Sequence, residues 1–199
     1  MKNNNYNSLK TASKLKNWLA CNYTTINEIN EKELKKKESS ITEETRKKRG
    51  DQFEEKIYKK LIKKYPKHIK IKNDENRLEK TKEALRKGYD LIHKAYFEYD
   101  GWHGEIDFLI KNKNKKGKWT YEVYDTKLSS VAKPEHIIQI SIYSEWIAKQ
   151  YDNEWSDFMY LILGNEEEKK YKTQDYQIYF QKHKENYLNF LKNDTLKKS

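Results

Sequence analysis

The feature that most limits what this chain can fold into is Phe158-Met-Tyr-Leu-Ile-Leu163, a continuous apolar run bounded by polar residues. Such a run suits a β-strand covered on both faces, and therefore a sheet with helices on either side. Hydrophobic residues make up only 35% of the chain and charged residues 37%, so the core around that strand must lean on aromatics. The 16 Tyr, 6 Phe and 5 Trp can supply it, because their rings carry large buried area and keep a polar handle. A length of 199 residues predicts one domain of ordinary size with an appended helical segment.

Periodicity sets the order of the elements. Leu15, Trp18 and Leu19 predict a helix from Leu9 to about Leu34, with cap residues at Thr11-Ala-Ser13. The charged stretch from Glu33 to Arg49 fits either a solvated helix or a mobile connection. From Gly50 a second helix carries Phe53, Ile57 and Leu61 on one face and should stop near Tyr65-Pro66. His68 to Lys72 alternates like a short edge strand guarded by lysines. Asn76 to Lys87 predicts a helix capped by Gly88. Three strands follow at about 90–99, 102–111 and 118–127. Pro134 opens a helix that runs to about Gln150, and after the apolar strand a last helix is predicted over about 175–192. No repeat is visible, and no boundary after Arg49. The sum is an α/β fold, a mixed central β-sheet flanked by helices, with an N-terminal helical segment at 1–46 and the main domain at 47–199.

Composition narrows the function. A net charge of +11 favours a polyanionic partner, since neutralising phosphates releases counterions; the same charge also fits a merely soluble basic protein. Cys21 is the sole cysteine, which excludes an intrachain disulfide and any four-cysteine zinc or iron–sulfur site. No apolar run has a signal peptide's placement or a membrane span's length, so a soluble, cytoplasmic protein with no membrane role is expected. The central region has no phosphate-cradling glycine loop, which argues against a kinase or NTPase.

The sharpest chemistry lies in Tyr121-Glu-Val-Tyr-Asp-Thr-Lys127 and Gly104-Glu-Ile-Asp107. Alternation along a strand puts Asp125 and Lys127 on one face, about 7 Å apart, with a neighbouring strand about 5 Å away, close enough for Asp107 to join them. Asp107 also interrupts Ile106, Phe108, Leu109 and Ile110, where an aspartate is costly unless it is paired or binds a cation. Two carboxylates and an ammonium suit a site that holds a divalent metal and activates water beside a phosphate; a salt bridge from Asp107 to Lys127 that closes the core is the plainer alternative. Gln139 and Tyr143 lie four apart on the helix after Pro134 and border its Ile138, Ile142 and Trp146 stripe. Glu54 adjoins the Phe53 stripe, where periodicity alone does not separate it from Glu55. His93, His103 and His136 form no zinc pattern and are expected in structural or surface roles.

Arg49-Gly-Asp-Gln-Phe-Glu54, Gly104-Glu-Ile-Asp107, Tyr121 to Lys127 and Gln139-Ile-Ser-Ile-Tyr143 occur in that order. Together they resemble the motif series of RecB-like nucleases in the PD-(D/E)XK superfamily, the Gln-x-x-x-Tyr element pointing to the RecB branch. Thr11-Ala-Ser-Lys-Leu15, Thr81-x-x-x-Leu85-x-x-Gly88, Lys133-Pro134 and Leu163-Gly164 are similar to one subgroup of RecB-family nucleases. The resemblance covers roughly 11–195. It implies a restriction-endonuclease-like αβββαβ core and hydrolysis of DNA phosphodiester bonds, of exonuclease type, in repair, recombination or processing. It also implies Mg²⁺ or Mn²⁺ held by Glu54, Asp107 and Asp125, with Lys127 as the catalytic ammonium and Gln139 and Tyr143 bracing the site or contacting the nucleic-acid backbone. No iron–sulfur cluster is expected, and basic residues around 111–118 and in the helices would track phosphates. That subgroup usually has His before the motif glutamate, where this chain has Phe53. It also commonly joins the domain to a helicase or exonuclease region, which here would act in trans or be missing. A non-catalytic nucleic-acid-binding or docking module is the rival reading.

Overall fold

The structure, a computed structural model, describes residues 9–21, 23 and 41–196. Expectations for 1–8 and 24–40 lie outside the described residues. Among the described residues, five helices surround a six-stranded mixed sheet. The helices are α1 (Ala12–Ala20), α2 (Ile41–Lys64), α3 (Arg77–Arg86), α4 (Pro134–Gln150) and α5 (Thr173–Leu196). The strands are β1 (His68–Lys70), β2 (Leu91–Tyr99), β3 (Trp102–Lys113), β4 (Trp119–Thr126), β5 (Phe158–Ile162) and β6 (Glu168–Lys172), and they lie side by side in chain order. The β1–β2 and β4–β5 pairs are parallel and the rest antiparallel.

Local chemistry explains the joints. Asp100 and Gly101, at φ 49° and 78°, turn β2 into β3 with the two positive-φ residues that a tight hairpin of right-handed twist requires. Gly88 ends α3 at φ 61°, and the amides of Gly88 and Tyr89 return to the carbonyls of Leu85 and Ala84, closing the last turn as a Schellman motif. Thr11 caps α1, its hydroxyl accepting from the Lys14 amide at 3.1 Å. The second helix begins at Ile41 and so runs through part of the charged stretch left open above, crossing position 46 without a break.

Two apolar layers cover the sheet. Ile57 of α2, flanked by Phe53 and Leu61, packs on Leu91, Phe108, Ile110, Tyr124, Tyr160 and Ile162. The opposite, larger layer is built on α4, whose residues from His136 to Ala148 are all buried. A helix buried all round must be covered on both sides: α4 meets the sheet on one side and α1 and α5 on the other. Its serines therefore turn inward, Ser141 and Ser144 donating to the carbonyls of Ile137 and Ile140. Leu15 of α1 is fully buried in this layer, so the N-terminal helical segment is part of the main core. The strand β6 was not foreseen; its Glu-Lys-Lys-Tyr-Lys sequence has one apolar residue, and it pairs on one side only, as a charged edge strand does. Among the described residues no helix is long and apolar enough to cross a membrane.

Candidate active site

The strands β2 and β3 change faces at one register position, and the candidate site forms there. In β3, Phe108 and Ile110 face the α2 layer, yet Ile106 belongs to the other layer, as Leu109 does. In β2, Leu91 faces α2 while Ala95 and Phe97 face α4. Regular alternation would keep each of these sets on one face. The break falls at Asp107 and at Lys94, which stands between the pairs His93↔Phe108 and Ala95↔Ile106. Lys94 takes φ 60°, a left-handed conformation that a lysine inside a strand adopts only when its surroundings impose it. The result is an opening at the sheet where a side chain from α2 can meet side chains from the α4 side.

Glu54 comes from α2 and is only 6% exposed. Its Oε1 lies 2.7 Å from His93 Nε2, and its Oε2 accepts from Lys94 Nζ at 2.6 Å. Glu55, the alternative at sequence level, sits outside and pairs with Lys70. Burial works against the charged form of Lys94, but Glu54, Asp107 and Glu105 outweigh it and hold its pKa above the usual lysine value. Although Phe53 stands where the resembling subgroup has a histidine, a histidine does reach Glu54, from β2. His93 is itself fixed by stacking on Tyr58 and Phe108, with centroids at 4.1 and 4.9 Å.

Asp107, midway along β3, and Asp125, near the end of β4, stand one step beyond the pair Phe108↔Tyr124. Asp107 Oδ2 accepts from the Thr126 amide at 2.7 Å and from the Thr126 hydroxyl at 2.6 Å. Lys127, expected as a possible partner of Asp107, instead closes on Asp125 Oδ2 as an ion pair. That oxygen is buried and has no aligned hydrogen-bond donor among the described residues; neither has Gln139 Oε1. Burial pushes the Asp125 carboxyl up, to about 6; the Lys127 ammonium opposes this and the Asp107 carboxylate adds to it. Gln139 Nε2 donates to Tyr143 Oη at 2.8 Å, and burial together with the Asp125 charge holds the Tyr143 hydroxyl well above its ordinary pKa.

All six residues singled out in the sequence, Glu54, Asp107, Asp125, Lys127, Gln139 and Tyr143, line one cleft of about 490 Å³. The N-terminal turn of α1 lines it too, through Thr11, Ala12 and Ser13. That turn is pinned to the site's edge by a bridge between Thr11 and His103 and by the His103 amide donating to the Lys10 carbonyl. Basic groups gather beyond the carboxylates. Lys16 is held below its usual pKa, first by burial and then by Lys127, and burial with Lys127 lowers His136 to about 4. Sequence reasoning missed His93, Lys94 and Thr126, because their roles depend on the face change at Lys94 and Asp107.

The donor set fits a hard divalent cation in kind. It offers three carboxylates and the buried, undonated Gln139 Oε1, and such ions take oxygen ligands. In this structure ammonium groups occupy the carboxylates instead, Lys94 on Glu54 and Lys127 on Asp125. Among the described residues, no three His, Cys, Asp or Glu side chains draw together as a ready-made ligand cluster. No protein-family model matches the chain, and a search of curated proteins finds no match.

Proposed function

We propose that this protein is a nuclease that hydrolyses phosphodiester bonds in DNA with the help of Mg²⁺ or Mn²⁺, in the RecB-like, exonuclease-type manner its motifs resemble. One observation carries the reading. Six residues from α2, β3, the end of β4 and α4 line a single cleft although they are spread from position 54 to 143 of the chain. Titratable groups gathered in one cleft around a carboxyl of raised pKa are the pattern of a functional site.

Glu54, Asp107 and Asp125 would hold the cation, which when bound supplies Lewis acidity and a water of lowered pKa. Thr126 keeps one oxygen of Asp107 fixed and so sets which oxygen faces the cleft. Lys127, which pairs with Asp125 in this structure, would orient the attacking water and stabilise the charge that develops on the phosphate oxygens. A phosphorus–oxygen bond would form to that water, whose proton passes to solvent. The bond to the sugar oxygen would break as that oxygen takes a proton from solvent, leaving a phosphate end and a hydroxyl end. The α1 N-terminus brings backbone amides and a positive dipole end to the same cleft, which favours a phosphate there.

One observation favours a second reading, a non-catalytic nucleic-acid-binding or docking module: Glu54 and Asp125 are each already neutralised by a lysine of this chain. A digest of end-labelled single- and double-stranded DNA and of RNA, with Mn²⁺ or with a chelator, decides between them. Metal-dependent cutting of DNA is expected. Binding without cutting would assign the docking role, and cutting confined to RNA would replace the substrate.

A further inference from the structure

A second cationic concavity lies at the other end of β4. Trp119 opens that strand and is 55% exposed, in a chain whose Trp102 and Trp146 are essentially buried. Its ring lies within 4.6 Å of Lys111 Nζ and 4.9 Å of Lys113 Nζ, and Lys113 is its cross-strand partner. Beside it is a concavity of about 450 Å³ lined in part by Lys82, Arg86, Lys111, Trp119 and Tyr151. Lys82 is paired with Glu79, and Lys116 and Lys118 are taken by Glu154. Lys111 and Lys113 form no salt bridge among the described residues, and Arg86 acts on Glu83, which Lys87 already pairs, only at longer range.

An exposed indole among uncompensated cations is a surface to which a nucleobase and its phosphates are complementary. We propose that this face is a non-catalytic docking site for a single strand of nucleic acid. One base stacks on Trp119, and the flanking phosphates lie on Arg86, Lys111 and Lys113. Stacking of a base on an aromatic ring is worth more than an exposed cation–π contact, so the base displaces the lysines from the ring toward the phosphates. A duplex keeps its bases stacked on each other and leaves none for the indole, which selects single strands. Six residue steps separate Trp119 from Asp125, about 20 Å at strand rise, a span that one bound strand can cross. This inference rests on the nucleic-acid reading above but not on catalysis.

The test is binding of labelled oligo(dT) of 4 and 20 nucleotides, and of an abasic 20-mer with the same phosphates, by fluorescence anisotropy in chelator. Cleavage of DNA with Mn²⁺ is measured in parallel. Trp119→Ala should weaken binding of the 20-mer about ten-fold and leave the abasic strand unchanged, while Trp119→Phe keeps most of the affinity. Equal binding of the dT and abasic 20-mers by the wild type, or no loss in Trp119→Ala, overturns the proposal. Displacement of the oligonucleotide by polyglutamate, with both variants binding as wild type, overturns it in favour of an acidic protein partner. If the dT-specific loss is seen but no cleavage occurs, the docking site stands and the nuclease reading falls; cleavage without that loss gives the reverse.

Discussion

Asp125 is the residue on which protonation, stability and chemistry meet. Its carboxyl is raised to about 6 by burial, against the pull of Lys127. A carboxyl whose folded-state pKa lies above its unfolded value favours the protonated fold, so the ionised form costs stability above about pH 6. That cost fades as the pH falls through 6 and is gone below the unfolded value of about 3.9. Asp125→Asn should therefore gain on wild type at pH 8, a gain opposed by the loss of the Lys127 pairing. Thermal melts at pH 8 and pH 4.5 check this, and the difference should shrink at the lower pH. Cleavage should show the opposite preference, rising with pH through about 6, and more metal should move that limb to lower pH because a bound cation favours the carboxylate. Glu54→Ala should impair cleavage far more than Glu55→Ala, since only Glu54 reaches the cleft. Asp107, Asp125 and Lys127 were legible in the sequence because strand alternation and the odd placement of an acid in an apolar run pointed to them. His93 and Lys94 were not. Their approach to Glu54 depends on a backbone reversal at Lys94 that no periodicity announces.

At the scale of elements, the segment after β4 carries the most strain-sensitive joint. Gly164 lies against the loop that follows Lys127: a Cβ built there would stand 2.2 Å from the Leu128 carbonyl oxygen, and the Gly164 amide donates to the Ser129 carbonyl at 3.0 Å. Gly164→Ala must push that loop away from β5. It should cost on the order of 2 kcal/mol and lower cleavage by displacing Lys127, whereas Gly117→Ala on the far hairpin should leave cleavage unchanged. A denaturant melt and a rate measurement on both variants separate the two effects. Thr11→Ala removes the α1 cap and should cost about 1 kcal/mol, read in the same melts. Strong local signals made most elements legible: Pro66 after α2, Gly88 after α3, Gly101 between β2 and β3, and Pro134 at the head of α4. The strand β6 was hidden because only Tyr171 in it is apolar, and sheet-edge pairing rather than pattern defines it. The placement of α1 over α4 was equally hidden, since a helix's own sequence gives the width of its apolar face and not the partner that covers it.

For the molecule as a whole, the six-stranded sheet keeps the carboxylates at one end of β4 and the Trp119 face at the other, on a background of +11 net charge. Affinity for DNA should fall steeply with salt, log affinity dropping linearly with log salt at a slope set by the number of phosphates engaged. A salt-insensitive interaction would point to a protein partner. Base-sequence preference should be weak, because the sequence carries no visible base-recognition motif. The α/β architecture was legible from one apolar strand and the order of the elements, whereas the cleft required the sheet to be folded before Glu54 could meet Asp107 and Asp125. The most direct test of the central claim is a time course of end-labelled DNA with Mn²⁺, comparing wild type with Asp125→Ala and Lys127→Ala, each shown to be folded by circular dichroism. Metal-dependent cutting by wild type is predicted, with loss of at least a hundred-fold in both variants while DNA binding is retained. Absence of cutting by folded wild-type protein, or normal cutting by either variant, would contradict the account.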